Sequence, residues 1–307
     1  MEKKSKIYVA GHNGLVGSAI IRKLTNKGFT NLIVRNHKEL DLTRQDEVEK
    51  FFGTEQPEYV FLAAAKVGGI QANIDSPADF FYINSMIQNN IIYNAYKYGV
   101  KKLLLLGSSC IYPKLCPQPI KEEYLLSGYL EPTNEAYAIA KISGLKMCQY
   151  YKKQHGANFI SCMPTNLYGP NDNFDLQSSH VLPALIRKIH EAKVSNYQFV
   201  EVWGTGLPLR EFLHVDDMAD ACVFLMQNYN GLEHINIGTG EELSVKNLAL
   251  MIKEIIGYTG DLKFDVSKLD GTPRKLLDIK KINELGWSSM IELRDGIEMT
   301  YRWYLQK

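Results

Sequence analysis

The sequence has almost no imbalance of charge: 35 lysines and arginines face 34 aspartates and glutamates. Without a field of one sign there is no general attraction to nucleic acid or to an anionic membrane, and any anion site has to be local. Long apolar runs are missing too. None approaches the roughly 20 residues that cross a bilayer, so no membrane partner is expected. Cysteine is sparse, five in 307 residues at 110, 116, 148, 162 and 222, and the start MEKKSKIYVAG carries no apolar leader before its first strand. Reduced thiols, a soluble chain and a cytoplasmic location follow as expectations. No repeat, low-complexity tract or long linker interrupts the chain, and no metal site is expected.

What is present is an alternation of short apolar runs with longer amphipathic stretches, the pattern of βαβ units that close a parallel sheet with helices on both faces. Strands are predicted at Lys6–Ala10, Leu32–Arg35, Tyr59–Leu62, Lys102–Leu106 and Phe159–Met163, and crossover helices at Leu15–Lys27, Arg44–Phe52, Phe80–Tyr98 and Ala136–His155. After Asn166 the elements shorten. The fold class expected is α/β, a doubly wound parallel sheet with a smaller C-terminal lobe. Residues 1–165 would form the nucleotide-binding domain, to which the chain returns around 212–240, and residues 166–307 mainly a substrate domain.

The first strand runs into Gly11-His12-Asn13-Gly14-Leu15-Val16-Gly17 and then a helix. Glycines let backbone approach a pyrophosphate, whose charge meets N–H groups and the positive end of the helix dipole. At the first βα junction this reads as the Rossmann dinucleotide turn. An acid at the end of the second strand would bind the ribose hydroxyl of NAD. This chain has Arg35, His37 and Lys38 there instead, and cations suit the extra phosphate of NADP(H). Asp41, Leu42 and the small residues around Ala64 would line the adenine pocket, although alanines serve helix–sheet packing equally well.

Tyr137 and Lys141 are four apart on one face of a predicted helix, where an ammonium lowers the phenol's pKa toward neutrality. Leu106-Gly107-Ser108-Ser109-Cys110 opens a loop at a strand's carboxyl end, where α/β sheets place ligands. Ser108, Tyr137 and Lys141 together make a proton-handling set beside a nicotinamide. On spacing alone Cys110 reads as a small buried apolar residue and His180 as a loop histidine.

These motifs, with Pro164-Thr165-Asn166-Leu167-Tyr168-Gly169-Pro170, the run from Arg210 to Asp217 and Asn236-Ile237-Gly238-Thr239-Gly240, resemble the extended short-chain dehydrogenase/reductases over essentially the whole chain. The runs Ala64–Ile70, Gly107–Lys114, Glu131–Glu135, Ser179-His180-Val181 and Asp270–Lys275 are similar to the branch that makes GDP-L-fucose from GDP-4-keto-6-deoxy-D-mannose. The resemblance implies epimerisation at carbons 3 and 5 followed by NADPH-dependent reduction at carbon 4. It assigns Cys110 as base and His180 as acid, with Ser108, Tyr137 and Lys141 serving the reduction. Cofactor contacts are implied for Leu106, Gly107, Ser108, Ser109, Lys141, Pro164, Thr165, Asn166, Leu167 and His180, and substrate contacts for Lys188, Trp203, Arg210, Asp270 and Lys275. Asn13, His37 and Lys188 depart from the family, which carries arginine at each. A dehydratase of the family would present an acidic triplet where this chain has Ser108-Ser109-Cys110, and a dinucleotide sensor would not need the full proton-transfer set. A homodimer is implied through the helices at 80–98 and 136–155, with Met86, Ile87, Tyr93 and Met147 either at the interface or in the core.

Overall fold

The computed structural model describes residues 1–268 and 270–307. Near-continuous apolar runs form β1 (Ile7–Ala10), β2 (Leu32–Ile33), β3 (Tyr59–Leu62), β4 (Lys102–Leu106) and β5 (Phe159–Pro164), and between them lie α1 (Leu15–Asn26), α2 (Gln45–Glu55), α3 (Ile70–Asp75), α4 (Pro77–Lys97) and α5 (Glu135–His155). The remainder comprises β6 (Asn166–Tyr168), α6 (Val181–Val194), β7 (Phe199–Trp203), β8 (Leu209–Arg210), β9 (Phe212–His214), α7 (Val215–Asn228) and β10 (Ile235–Ile237), then β11 (Leu243–Ser244), α8 (Val245–Ile256), β12 (Asp261–Asp265), β13 (Arg274–Lys275), α9 (Lys280–Glu284) and α10 (Leu293–Tyr304).

Six parallel strands pair in the order β2-β1-β3-β4-β5-β10. Successive side chains leave a strand on opposite faces, so both faces of this sheet must be covered. Ile7 and Val9 meet α1 and α7 through Ile20, Leu24, Met218 and Leu225. Tyr8 and Ala10 meet α2, α4 and α5 through Phe52, Ile91 and Cys148. Arg22–Asp216 and Lys23–Asp220 ion pairs, both 2.6 Å, rim the α1–α7 contact. The return of the chain in α7 and β10 thus completes the six-stranded sheet and covers the face that α1 shares. A separate core joins α6, α8 and α10 to β7 and β12 through Leu185, Ile252, Ile297 and Val202.

Several elements differ from the sequence expectation. β2 has two residues rather than four, because Arg35 turns out of the sheet to donate to the Val34 carbonyl at 2.7 Å and to pair with Glu55. Ile87 is buried in the core and Met147 packs against it, whereas Tyr93 stays exposed. α3, β12, α9 and α10 were not expected. Among the described residues no helix is long and apolar enough to cross a membrane.

Candidate active site

Gly11 adopts φ +85°, and its N–H-to-carbonyl partner Gly14 closes the turn at 3.0 Å. A Cβ on Gly17 would lie 2.1 Å from the Gly11 oxygen, and one on Gly11 only 2.7 Å from the Ala64 nitrogen. The turn is therefore sealed on its inner side by β3 and α1, where no side chain fits. Its outer side fits a phosphate: Gly14 caps α1 in extended backbone without a side-chain bond, and no acid sits in the first turn of that helix. Positive N–H ends are thus left for an anion. Asn13 is exposed, as are His37 and Lys38, while Arg35 and His12 are half-buried. Asp41 is committed to a local turn, accepting from the Thr43 N–H at 2.9 Å and hydroxyl at 2.8 Å, bonds that hold its carboxyl below the usual range. Leu42 gives its carbonyl to Asn90.

β4 leads into the candidate catalytic turn. At its end a Cβ on Gly107 would strike the Met163 side chain at 2.2 Å. Ser108 then caps a helical turn at 109–111, its hydroxyl accepting from the Cys110 N–H at 3.4 Å, with Ser109 buried behind it. From α5, Tyr137 faces the Ser108 hydroxyl and meets Phe80 edge-on at 6.1 Å. Lys141, one turn on, donates to the Leu106 carbonyl at 3.0 Å with its ammonium 5.7 Å from the Tyr137 ring centre. Burial pulls this ammonium down to about 8.

The expected lowering of the Tyr137 phenol is not found. Burial and the neighbouring Cys110 push it well above its ordinary value, with Ser108 alone opposing. The helical spacing puts Lys141 on the right face, but its amine is turned to the strand carbonyl. A phenol held protonated is suited to giving a proton away.

Cys110 adjoins this set in the turn that Ser108 caps, and Lys275 neighbours both Cys110 and His180. Burial raises the Cys110 thiol, while Lys275, Ser108 and Lys141 draw it back. His180 caps α6 in a loop held to the first lobe, Gly69 N–H donating to the Ser178 carbonyl at 3.0 Å. The residue is exposed, yet the surrounding protein and Lys275 lower its pKa. β13 pairs with β8 so that Lys275 lies opposite Arg210. Arg210 donates to the carbonyls of Leu209 and Asp270 at 2.8 and 3.3 Å, and the Asp270 carboxylate accepts the Thr205 N–H and hydroxyl, both at 2.8 Å. Trp203 is 50% exposed, with the Lys188 amine 4.9 Å from its ring. At the floor, Pro164 ends β5, Thr165 and Asn166 bond the Glu211 carbonyl at 3.2 and 2.8 Å, and Leu167 packs toward α7.

Sequence reading missed three groups. Lys268 places a second ammonium 5.4 Å from Trp203. Lys114 and Glu131 pair at 2.9 Å in the small cavity that Cys110 and Lys275 also line. Glu211, wholly buried, accepts the N–H groups of Thr239, Gly240 and Leu277 at 2.7, 2.8 and 3.0 Å and so fixes the segment carrying Lys275. Glu131 and Glu211 lie inside the quoted family runs, but their partners are distant in sequence. A further cavity, walled by Leu276, Ile279 and Asn283, lies outside this set.

The profile described as the NAD dependent epimerase/dehydratase family matches residues 7–238. GDP-L-fucose synthase 1 of Arabidopsis thaliana is 63% identical over 305 residues, covering 99% of this chain and 94% of that one. A GDP-6-OMe-4-keto-L-xylo-heptose reductase from C. jejuni superimposes with a TM-score of 0.96 at 44% identity, covering 100% and 99% of the two chains. A GDP-L-fucose synthetase from Naegleria fowleri bound to NADP gives 0.92 at 32%, covering 100% and 95%. This chain belongs to the NAD dependent epimerase/dehydratase family and is an NADP-dependent oxidoreductase with epimerase activity. Within that family it falls among the GDP-L-fucose synthases.

Proposed function

We propose that the GDP-sugar turned over here is GDP-4-keto-6-deoxy-D-mannose, inverted at carbons 3 and 5 and then reduced at carbon 4 to GDP-L-fucose. One observation carries this: a thiol, Cys110, adjoins the Ser108, Tyr137 and Lys141 set, with His180 on the facing loop. A 4-ketone acidifies the hydrogens on both neighbouring carbons. Cys110 as thiolate removes one, Ser108 and Tyr137 hold the enolate oxygen, and His180 returns a proton on the opposite face. Once Cys110 has released its proton to solvent and His180 has taken one up, repetition at the second carbon completes the inversion. Tyr137 then gives its proton to oxygen 4. Bound at the glycine turn, NADPH supplies the hydride for carbon 4. Lys141, anchored on Leu106, positions the phenol.

Incubation with NADPH and the 4-ketosugar, with the product identified by NMR, tests the whole reading. A product reduced at carbon 4 but uninverted would favour a second reading, a 4-reductase like the C. jejuni neighbour. Arg210, Lys188, Trp203, Asp270 and Lys275 are proposed to receive the nucleotide diphosphate and sugar. A homodimer through α4 and α5 is supported by Phe81, Tyr82, Tyr93, Ile139 and Tyr150, all exposed, and cytoplasmic residence by five unpaired thiols.

Arg35 is proposed to contact the 2′-phosphate. Glu55 and the Phe51 ring already orient its guanidinium, so little side-chain freedom remains to be lost on binding. A charge-assisted contact contributes about 1.5–3 kcal/mol. Arg35→Ala is therefore expected to raise the KM for NADPH at least about tenfold while leaving that for NADH nearly unchanged. Equal effects on both cofactors would remove Arg35 from the phosphate site.

A further inference from the structure

We propose that Lys275 is the counter-cation of the Cys110 thiolate, a positioning residue that makes the base available rather than only a ligand of the substrate. The inference rests on the reading of Cys110 as the base. That reading contains a difficulty: a thiol buried to 7% exposure is held protonated by its surroundings, and a protonated thiol removes no proton from carbon.

The cation that answers this is set by how the neighbouring charges are already paired. β13 contributes two adjacent cations, which leave the strand on opposite sides. Arg274 is neutralised by Glu242 through contacts of 2.7–2.9 Å. Lys275 lines the cavity, and its ammonium has no ion pair or hydrogen bond among the described residues. Glu131, the carboxylate in the same cavity, is occupied by Lys114 at 2.9 Å and by the Thr133 N–H at 3.4 Å. Arg210, opposite in the register, and His180 cannot neutralise it. Cys116 shares the neighbourhood but is half-buried. Cys110 lines the same small cavity as Lys275 and is the remaining acidic group there without a cation of its own.

From the thiol's side, α5 offers Lys141 and Tyr137. Lys141 is committed to the Leu106 carbonyl, and Tyr137 is neutral. Lys275 is thus the cation left uncommitted beside the thiol, and the Glu211 carboxylate, through Leu277 N–H, fixes the segment that follows its strand.

The test needs no substrate. Alkylation of Cys110 by iodoacetamide is followed against pH, with the Cys110 peptide quantified by mass spectrometry, in the parent, Lys275→Gln and Lys275→Arg. Loss of an opposite charge at close range moves a pKa by about 1–3 units. The midpoint should rise by at least about one unit in Lys275→Gln, slowing alkylation at neutral pH about tenfold, and Lys275→Arg should restore it. A Lys275→Gln midpoint equal to the parent's would overturn the proposal. Should Lys275→Gln not fold, the reciprocal measurement decides: in Cys110→Ser, the NMR titration of isotopically methylated Lys275 should shift downward, and an unshifted titration would refute the pairing. The reading of Cys110 as base fails separately, by solvent exchange that survives its removal.

Discussion

Cys110→Ala is expected to suppress deuterium incorporation at carbons 3 and 5 of the 4-ketosugar by about 10²–10⁴-fold, the range over which a positioned general base acts. The experiment is run in deuterium oxide with an inert nicotinamide analogue, since carbon–hydrogen cleavage requires no hydride transfer. The structure makes the substitution clean. Ser108 caps the turn through the Cys110 backbone N–H, which alanine retains, and Tyr137 and Lys141 are held by Ser108, Phe80 and Leu106 rather than by sulfur. Folding should weaken by only about 1 kcal/mol. A substrate already in the inverted configuration should still be reduced. Exchange at the parent's rate would return Cys110 to a packing role and place the base elsewhere. His180→Ala, by contrast, should leave exchange and remove inversion, as the proton returns to the face it left.

The reverse split is expected of Tyr137→Phe. Reduction generates an alkoxide that must be protonated as it forms, and the phenol, kept un-ionised by burial and by Cys110, is the donor at hand. Its loss should lower NADPH oxidation by about 10²–10⁴-fold, while solvent exchange continues at a reduced rate, because Ser108 still faces the enolate oxygen and Cys110 is untouched. The ring keeps its edge contact with Phe80, so thermal unfolding should hardly move. Near-parental oxidation with the 4-ketosugar would mean that another group donates the proton.

The two splits depend on residues legible at different depths. The glycine turn and the β1, β3, β4 and β5 strands announce themselves, since a parallel sheet covered on both faces demands unbroken apolar runs. α10 hides because Gly296 interrupts it and only Gly296, Ile297 and Thr300 are buried. β12 reads DLKFD, with acids at both ends and a lysine between, yet pairs along its full length with β7. Within the site, Tyr137 and Lys141 are local in sequence and were found by helical spacing, but the direction of the lysine amine is decided by a carbonyl on another element. Lys275 and Cys110 lining one cavity, and Arg35 held by Glu55, are products of tertiary folding that no spacing encodes. Recognising Cys110 and His180 as chemical groups required the family likeness.

The contact between α1 and α7 has a consequence for synthesis. The face of α1 formed by Ala19, Ile20 and Leu24 is covered by a helix that emerges from the ribosome about 200 residues later. At about 5–20 residues per second the growing chain carries that apolar stripe for roughly 10–40 s before α7 arrives, and the unpaired edge of β5 for roughly 4–14 s before β10 closes it. Nascent chains halted before α7 should therefore bind chaperones and aggregate when released, whereas those extended beyond β10 should become protease-resistant in their first half while the last helices are still being made.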